Sequence, residues 1–178
     1  MTGAAATIPT LETERLVLRA PVYADFEPYA EINMSDRASY MGGPMSRRAA
    51  WQMFCTETAP WWIQGFGYWT CALKEAGDVV GFTGFNRLPV YEETEFGWQV
   101  RAGFEGRGLA FEATAAALAY ARAELNFPSL VSYIDPENVR SQALARRLGA
   151  VQDDTAPVPE DETPEECLVF RHWPTGSA

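Results

Sequence analysis

A glycine-rich turn is the part of the sequence that most directly suggests chemistry. It reads Gly103-Phe104-Glu105-Gly106-Arg107-Gly108-Leu109-Ala110 and stands just before an alanine-rich stretch with helical periodicity. Successive backbone N–H groups in such a turn can point into one concavity, and the helix N-terminus adds roughly half a positive charge there. Glycines also let the backbone come close to phosphate oxygens. The turn is therefore predicted to bind an anion such as a pyrophosphate.

Two common nucleotide-binding motifs do not match this turn. The dinucleotide motif Gly-x-Gly-x-x-Gly follows the first strand of a parallel sheet, whereas here the order is Gly-x-x-Gly-x-Gly and several predicted strands come first. The sequence also lacks the Gly-Lys-Ser or Gly-Lys-Thr of a Walker loop. These differences argue against dinucleotide binding and nucleotide hydrolysis.

A second motif follows the alanine-rich stretch and extends from Asn138 to Ala150. With the glycine turn, it makes the chain resemble the GNAT superfamily of acetyltransferases, and within it the Rim-type ribosomal-protein N-terminal acetyltransferases. The family's loop Gln/Arg-x-x-Gly-x-Gly/Ala matches residues 105–110, except that Glu105 stands where Gln or Arg is usual. Its element Asn-x-x-Ser-x-x-Leu-x-x-x-Leu-Gly-Phe/Ala matches the second motif. The segments Thr13 to Arg19 and Glu95 to Trp98 also resemble Rim-type landmarks, so the resemblance covers nearly the whole chain.

The resemblance implies a mixed α/β (α+β) fold, in which helices flank a largely antiparallel central sheet. The strands around the glycine turn would splay apart and admit the pantetheine arm of acetyl-CoA, the implied co-substrate. Three arginines, Arg101, Arg107 and Arg140, would reach the phosphates. The other residues implied to bind acetyl-CoA are Val100, Ala102, Glu105, Gly106, Gly108, Leu109, Ala110 and Asn138.

The implied reaction moves the acetyl group directly to a primary amine within a ternary complex, so the amine must lose a proton and the CoA thiolate must gain one. Glu95 is the first candidate for the base, with Glu93 second and a water-mediated base as a third possibility. Ser141 is the candidate acid by carry-over from the second motif, with Tyr133 in reserve. Asn138 would orient the pantetheine or the substrate through its amide, although it is equally suited to cap a helix.

Composition limits the other possibilities. The formal charge of −10 argues against a nucleic-acid partner, and no apolar run reaches the roughly eighteen residues of a membrane span. We expect a cytoplasmic location, since the first residues do not resemble a signal peptide. The single histidine, His172, excludes a multi-histidine metal site and is expected beyond the last strand, which disfavours a histidine-dependent hydrolase. Three cysteines, Cys55, Cys71 and Cys167, suggest neither disulfides nor zinc and are expected to be buried.

Periodicity predicts the elements that position these residues. Alternation predicts strands near 12–20, 68–74, 79–85, 94–100, 130–134 and 166–171, with the middle ones forming an antiparallel meander. Helical spacing predicts helices from Asp25, over 46–64 with a break at Pro60, and over 109–125 and 138–148. The acidic segment 153–166 is predicted to be a long loop.

The 178 residues are expected to form a single domain with flexible tails at 1–10 and 173–178. The acceptor is expected to be cationic, for example the N-terminus of a basic protein or a small-molecule amine, drawn by the acidic loop and an aromatic cluster of Trp61, Trp62, Tyr68 and Trp69. The protein would be a monomer or homodimer. A catalytically silent acetyl-CoA sensor is the alternative, and in that case the base and acid would be dispensable.

Overall fold

The computed structural model describes residues 7–173, which contain one sheet of eight strands. The strands are β1 Leu11–Glu12, β2 Leu16–Arg19, β3 Tyr68–Leu73, β4 Val79–Asn86, β5 Glu95–Val100, β6 Leu130–Ile134, β7 Val151–Gln152 and β8 Leu168–Trp173. They lie in the order β1-β2-β3-β4-β5-β6-β8-β7. Neighbouring strands are antiparallel except β5 and β6, which are parallel. The predicted mixed, largely antiparallel sheet is confirmed.

Five α-helices accompany the sheet in the described residues. They are α1 Phe26–Asn33, α2 Arg47–Thr58, α3 Pro60–Ile63, α4 Leu109–Glu124 and α5 Val139–Arg147. Ser46 caps α2, since its side chain accepts a hydrogen bond from the backbone N–H of Ala49 at 3.2 Å. As predicted, the helix breaks at Pro60, but Pro60 also begins the short α3 because proline suits the first turn of a helix.

The core has one layer on each face of the sheet. On one face, α4 packs its small residues against large buried side chains such as Trp69, Phe85 and Phe96. On the other face, α1 and α2 pack aromatic residues against Phe82. Each large apolar side chain that is fully buried contributes roughly 1.5–3 kcal/mol. The two layers hold β5 and the start of α4 in place, which is where the glycine turn lies.

The ends of the described region differ from the expected tails. The carbonyl of Pro9 accepts a hydrogen bond from the Trp69 indole at 2.8 Å, and Ile8 packs on the core. The last strand extends to Trp173, whose indole donates to the carbonyl of Phe127. The rest of the expected tails, residues 1–6 and 174–178, lies outside the described residues.

Two further expectations about the C-terminal half are corrected. His172 lies within β8 and not beyond it, because the strand continues two residues past the predicted end at Arg171. The two-residue β7 was not predicted, since its pairing with β8 is a long-range contact that leaves little local pattern. Residues 153–166 contain neither helix nor strand and form the predicted long loop. None of the helices in residues 7–173 has the length and apolar character needed to cross a membrane.

Candidate functional site

Two adjoining cavities lie where β5 and β6 separate. The two strands pair in register only at Glu95 and Val131, and the Val131 N–H donates to the carbonyl of Thr94 at 3.1 Å. One cavity, of about 1040 Å³, reaches the glycine turn, and we call it the donor cavity. The other, of about 500 Å³, is the acceptor cavity. The residues that line both are Ser39, Tyr40, Met41, Trp98, Gln99, Asn138 and Ser141.

The glycine turn forms one wall of the donor cavity. Gly106 and Gly108 have φ angles of +69° and +76°, which side-chain-bearing residues rarely adopt. Within the described part of the chain, the backbone N–H groups of residues 105–111 donate to no protein acceptor. They include the first turn of α4, where the helix dipole is positive. This arrangement fits the predicted anion site.

Arginines lining the donor cavity are partly different from the predicted ones. Arg140, which was predicted, and Arg37, which was not, both donate to Glu105 Oε1, at 2.9 and 2.6 Å. Arg37 foremost, through its hydrogen bond, holds the pKa of Glu105 below its usual range. Arg147 also lines the cavity and places its guanidinium 3.9 Å from the centre of the Phe111 ring. Helix α5 and the segment after α1 thus supply positive charge beside the turn.

Three residues predicted to bind acetyl-CoA lie outside the lining of this cavity: Arg101, Ala102 and Arg107. The Arg101 guanidinium is turned away because it pairs with Glu31 and donates to the carbonyl of Val79. Arg107 lies over the Phe104 ring. The remaining predicted residues line the cavity, namely Val100, Glu105, Gly106, Gly108, Leu109, Ala110, Asn138 and Arg140.

An ion pair ties the glycine turn to the N-terminal strands. Arg15 donates through Nε to Glu112 in the first turn of α4, at 2.7 Å, and through Nη1 to the carbonyl of Arg107, at 3.0 Å. Thr13 adds a 2.6 Å hydrogen bond to the same carboxylate. The Thr13 to Arg19 segment therefore has a structural role, which is to hold the turn against the sheet.

All the charged residues that line the acceptor cavity are acidic. It is lined by six carboxyl side chains and by no lysine, arginine or histidine of the described chain; the acids are Glu57, Glu95, Asp135, Asp161, Glu162 and Glu166. The carboxyl group of Glu95 forms no hydrogen bond or ion pair with the described residues. Burial raises the pKa of Glu95 to about 7, and the Glu162 carboxylate adds to the rise. A cation is the ligand that this surface would stabilise best.

Glu93, the second candidate for the base, is occupied elsewhere. Both of its carboxylate oxygens accept hydrogen bonds from Arg171, at 2.6 and 2.9 Å. The hydrogen bonds from Arg171 are the main reason that the pKa of Glu93 lies below its usual value. Glu93 does not line either cavity and forms a buried ion pair instead.

Glu57 is a site residue that the sequence analysis missed. It lies in the last turn of α2 and accepts a 3.3 Å hydrogen bond from the amide of Gln99. Burial above all raises the pKa of Glu57 to about 8, with the Tyr29 hydroxyl opposing the rise and the charge of Glu95 contributing to it. One signal was available: with Ala50 and Phe54, Glu57 falls on the face of α2 that helical spacing marks as buried.

The second motif supplies Asn138 and Ser141 at the junction of the cavities. The side-chain oxygen of Asn138 accepts from the backbone N–H of Ser141 at 3.1 Å, so Asn138 caps α5. The half-buried Ser141 faces both cavities. Tyr133 lines only the acceptor cavity, and its buried hydroxyl has no partner in the described residues. Both candidates for the acid thus border the acceptor cavity.

The aromatic walls of the acceptor cavity differ from the predicted cluster. Tyr68, Tyr91 and Tyr133 line it, and the last two rings pack at 5.1 Å. Trp61 and Trp69 are buried in the core, while Trp62 is exposed. Of the predicted aromatic cluster, only Tyr68 lines the acceptor cavity.

The histidine and the cysteines have no reactive arrangement. His172 Nε2 lies 3.0 Å from Ser132 Oγ, which donates its proton to the Phe96 carbonyl at 2.6 Å. The hydroxyl therefore accepts from the imidazole, the reverse of an activated serine. Burial lowers the pKa of His172 to about 4. Cys71 and Cys167 are buried as expected but Cys55 is exposed, because it lies on the outer face of α2.

No group of three or more histidine, cysteine, aspartate or glutamate side chains within residues 7–173 is arranged to hold a metal ion.

Comparison with known proteins reveals similarity over nearly the whole chain. A family model described as an acetyltransferase (GNAT) domain matches residues 15–151. The crystal structure of an acetyltransferase from Agrobacterium tumefaciens str. C58 is 40% identical, with a TM-score of 0.88, and the match covers 98% of this chain and 99% of that one.

Two further solved structures are similar at lower identity. A Bordetella pertussis protein assigned to the GnaT family of acetyltransferases is 26% identical, with a TM-score of 0.75 and coverage of 92% and 98%. RimL, a ribosomal L7/L12 α-N-protein acetyltransferase in complex with coenzyme A, is 16% identical, with a TM-score of 0.69 and coverage of 92% and 96%. The last comparison shows likeness of fold alone.

Proposed function

The chain belongs to the GNAT family of acetyltransferases, and on that basis we propose that it transfers an acetyl group from acetyl-CoA to a primary amine. One observation carries the proposal. A cavity with unpaired backbone N–H groups and arginines meets a cavity lined by carboxyl groups, and Gln99 and Ser141 border both. The acetyl donor would enter from one side and the amine from the other.

The donor cavity suits a CoA ester. The free N–H groups of residues 105–111 can donate to a pyrophosphate at the start of α4. Arg37, Arg140 and Arg147 can add charge-assisted hydrogen bonds to phosphates. Acetyl-CoA would supply an acetyl group activated as a thioester. The chain's own contribution is to bind the donor and orient it toward the acceptor cavity.

The acceptor cavity suits an amine, because primary amines are cations near neutral pH. The acceptor is either the α-amine of a protein N-terminus or a small-molecule amine. A Rim-type role, acting on the N-terminus of a basic protein, is supported by the second motif and by the Glu95 to Trp98 segment. We place the protein in the cytoplasm, as a monomer or homodimer.

The ammonium must lose a proton before it can attack. Glu95 takes part in this step, since it lines the acceptor cavity without a counter-ion. Ser141, at the junction, assists protonation of the thiolate as it leaves, and Tyr133 is the alternative. The transfer is direct, since Cys71 and Cys167 are buried outside both cavities and Ser132 is not activated by His172.

An acceptor panel tests the proposal. Purified protein is mixed with acetyl-CoA and, in separate reactions, with basic and acidic N-terminal peptides, an aliphatic diamine and a neutral amine, and the release of free thiol is measured. We expect the cationic acceptors to react, and the Ser141→Ala variant to lose about 10²-fold in kcat with unchanged affinity for acetyl-CoA. Binding of acetyl-CoA without thiol release from any amine would favour the silent sensor instead.

A further inference from the structure

Glu57 is a buried carboxyl group that the fold keeps without a cation. Its residue is 8% exposed, and within residues 7–173 no lysine, arginine or histidine forms an ion pair with it. The titratable groups that face it are Tyr29 on α1, Tyr68 on β3, Tyr91 between β4 and β5, and Glu95 on β5. Three of these are neutral and one is an acid. Such a group lowers stability, so its presence in a cavity points to a functional role.

A chain of amides orients this carboxyl group. Asn33 donates one proton to the carbonyl of Tyr29 at 3.0 Å and the other to Gln99 Oε1 at 2.8 Å. Because Gln99 accepts at its oxygen, its NH₂ group is directed to Glu57 Oε1. The side chains of Asn33, Gln99 and Glu57 all line the acceptor cavity. The amide chain thus presents a donor to the ionised form of Glu57 and holds it at the cavity wall.

The position of Gln99 distinguishes Glu57 from Glu95. Gln99 borders both cavities, so Glu57 is one hydrogen-bonded side chain away from their junction. Glu95 lies four residues earlier on the same face of β5, which places its Cα about 13 Å further along the strand. The amine nitrogen must meet the acetyl group at the junction, which Glu57 is better placed to reach.

We propose that Glu57 is a catalytic residue that takes the proton from the acceptor's ammonium group, while Glu95 keeps Glu57 basic through its negative charge. The proposal rests on the proposed function, which supplies the amine and the acetyl donor. In this step the ammonium N–H bond breaks, its electron pair stays on nitrogen, and an O–H bond forms on Glu57. After the attack the nitrogen loses a second proton, and the departing thiolate takes up one proton in turn.

The two acids should respond differently to pH. Glu57 acts in its ionised form, so kcat falls as pH drops through the pKa of Glu57, about 8. Removing the Glu95 charge lowers the pKa of Glu57, because repulsion no longer favours its neutral form. The acid limb of the profile then moves to lower pH. Removing Glu57 leaves no group to accept the proton at the junction.

The experiment measures kcat for wild type, Glu57→Gln, Glu95→Gln and the double variant. The pH runs from roughly 5.5 to 9.5, which brackets the pKa values of the two carboxyl groups. Glu124→Gln, an exposed acid outside both cavities, is the matched control. Calorimetry with acetyl-CoA and thermal unfolding establish that each variant is folded. We expect Glu57→Gln to lose about 10²-fold in kcat, and Glu95→Gln to lose less and to shift its acid limb downward. The double variant should be about as slow as Glu57→Gln alone.

A folded Glu57→Gln variant with the kcat and pH profile of wild type would overturn the proposal, and so would a Glu95→Gln variant without any shift of its acid limb. Either result would leave the proposed function standing, because wild type would still acetylate the amine. Failure of the proposed function would instead appear as absence of thiol release from wild type with every amine.

Discussion

Among single residues, Gly97 shapes the acceptor cavity, because the side chain of Tyr68 lies directly against it. Gly97 lies on β5 between Glu95 and Gln99, on the same face of the strand. A Cβ atom placed on Gly97 would lie 1.8 Å from the hydroxyl oxygen of Tyr68, far inside van der Waals contact. Glycine at this position therefore lets Tyr68 form the wall of the cavity beside the two acids.

The Gly97→Ala variant should lose about 1–3 kcal/mol of stability, as overpacked sites do, and its affinity for the amine should fall because Tyr68 must move. Adding Tyr68→Phe removes the clashing oxygen, so the double variant should regain most of the stability. Denaturant unfolding and the KM for the amine measure the two effects. No recovery in the double variant would show that the contact with Tyr68 is not the cause.

The buried acids also predict how stability depends on pH. Glu57 in the folded state has a pKa of about 8, against about 4.3 in the unfolded chain. Between these values the folded state holds a proton that the unfolded state has lost, so stability falls as pH rises. Glu57→Gln should therefore raise Tm relative to wild type, more at pH 9 than at pH 5.

The Glu93→Gln variant should change stability in the opposite direction to Glu57→Gln. The pKa of Glu93 is lowered by its hydrogen bonds to Arg171, so its stabilisation is present above the unfolded pKa and is lost as pH falls. This variant should lower Tm near neutral pH. Thermal scans of both variants across pH check the two signs, and a Glu57→Gln variant that is less stable than wild type at pH 9 would contradict the first.

At the scale of elements, the glycine turn and the start of α4 form one unit held by the Arg15–Glu112 ion pair. Gly108 is the N-cap of α4 and has no side-chain cap, which leaves the first N–H groups of the helix free. The backbone needs a positive φ there. A side chain at this position would strain the turn and move the donors away from the predicted anion site.

Gly108→Val should weaken acetyl-CoA binding by at least about tenfold, which corresponds to about 1.4 kcal/mol. Gly77→Val is the matched control, because Gly77 has a φ of +73° in the β3–β4 turn, lies outside both cavities and has nothing within 4 Å of an added Cβ. Both variants should lose about 1–3 kcal/mol of stability from strain. Calorimetry should detect loss of affinity in Gly108→Val alone, and equal affinities would argue against the turn as the binding site.

At the scale of the whole molecule, the formal charge of −10 is distributed unevenly around the site. The donor cavity is lined by three arginines and three carboxyl side chains, Asp36, Glu105 and Glu137, so its formal charges balance, whereas the loop 153–166 brings Asp161, Glu162 and Glu166 to the acceptor cavity, which has no basic lining residue in the described chain. The negative potential of the acceptor cavity draws cations toward it, and salt screens this attraction over about 10 Å at 0.1 M.

The value of kcat/KM for a cationic amine should therefore fall as ionic strength rises. Neutralising the loop acids Asp161, Glu162, Glu165 and Glu166 together should reproduce the loss. The control neutralises four exposed acids outside both cavities, Glu14, Glu75, Asp78 and Glu124, and so changes the net charge equally. An equal loss in both sets would attribute the effect to net charge, and indifference to salt would make the loop a plain connection.

The sequence alone determined the features that depend on neighbouring residues. Strand alternation, helical spacing, the capping Asn138 and the glycine turn before α4 all leave local patterns, and so their positions were predicted closely. Family motifs also predicted a role for the glycine turn that lines the donor cavity, because its N–H groups belong to one continuous segment. The likeness in fold to Rim-type proteins followed from the same motifs.

Which charged groups lack a partner depends on contacts between segments that are far apart in the sequence. Glu93 and Glu95 look alike in sequence, but Glu93 meets Arg171 from a distant strand and Glu95 meets no cation in the described residues. Arg101 pairs with Glu31, while Arg37 takes the place beside the glycine turn. Glu57 lines the acceptor cavity because α2 brings its carboxyl group within hydrogen-bond distance of Gln99 on β5. Burial and ion pairing arise between segments far apart in the chain, and local periodicity carries no record of those contacts.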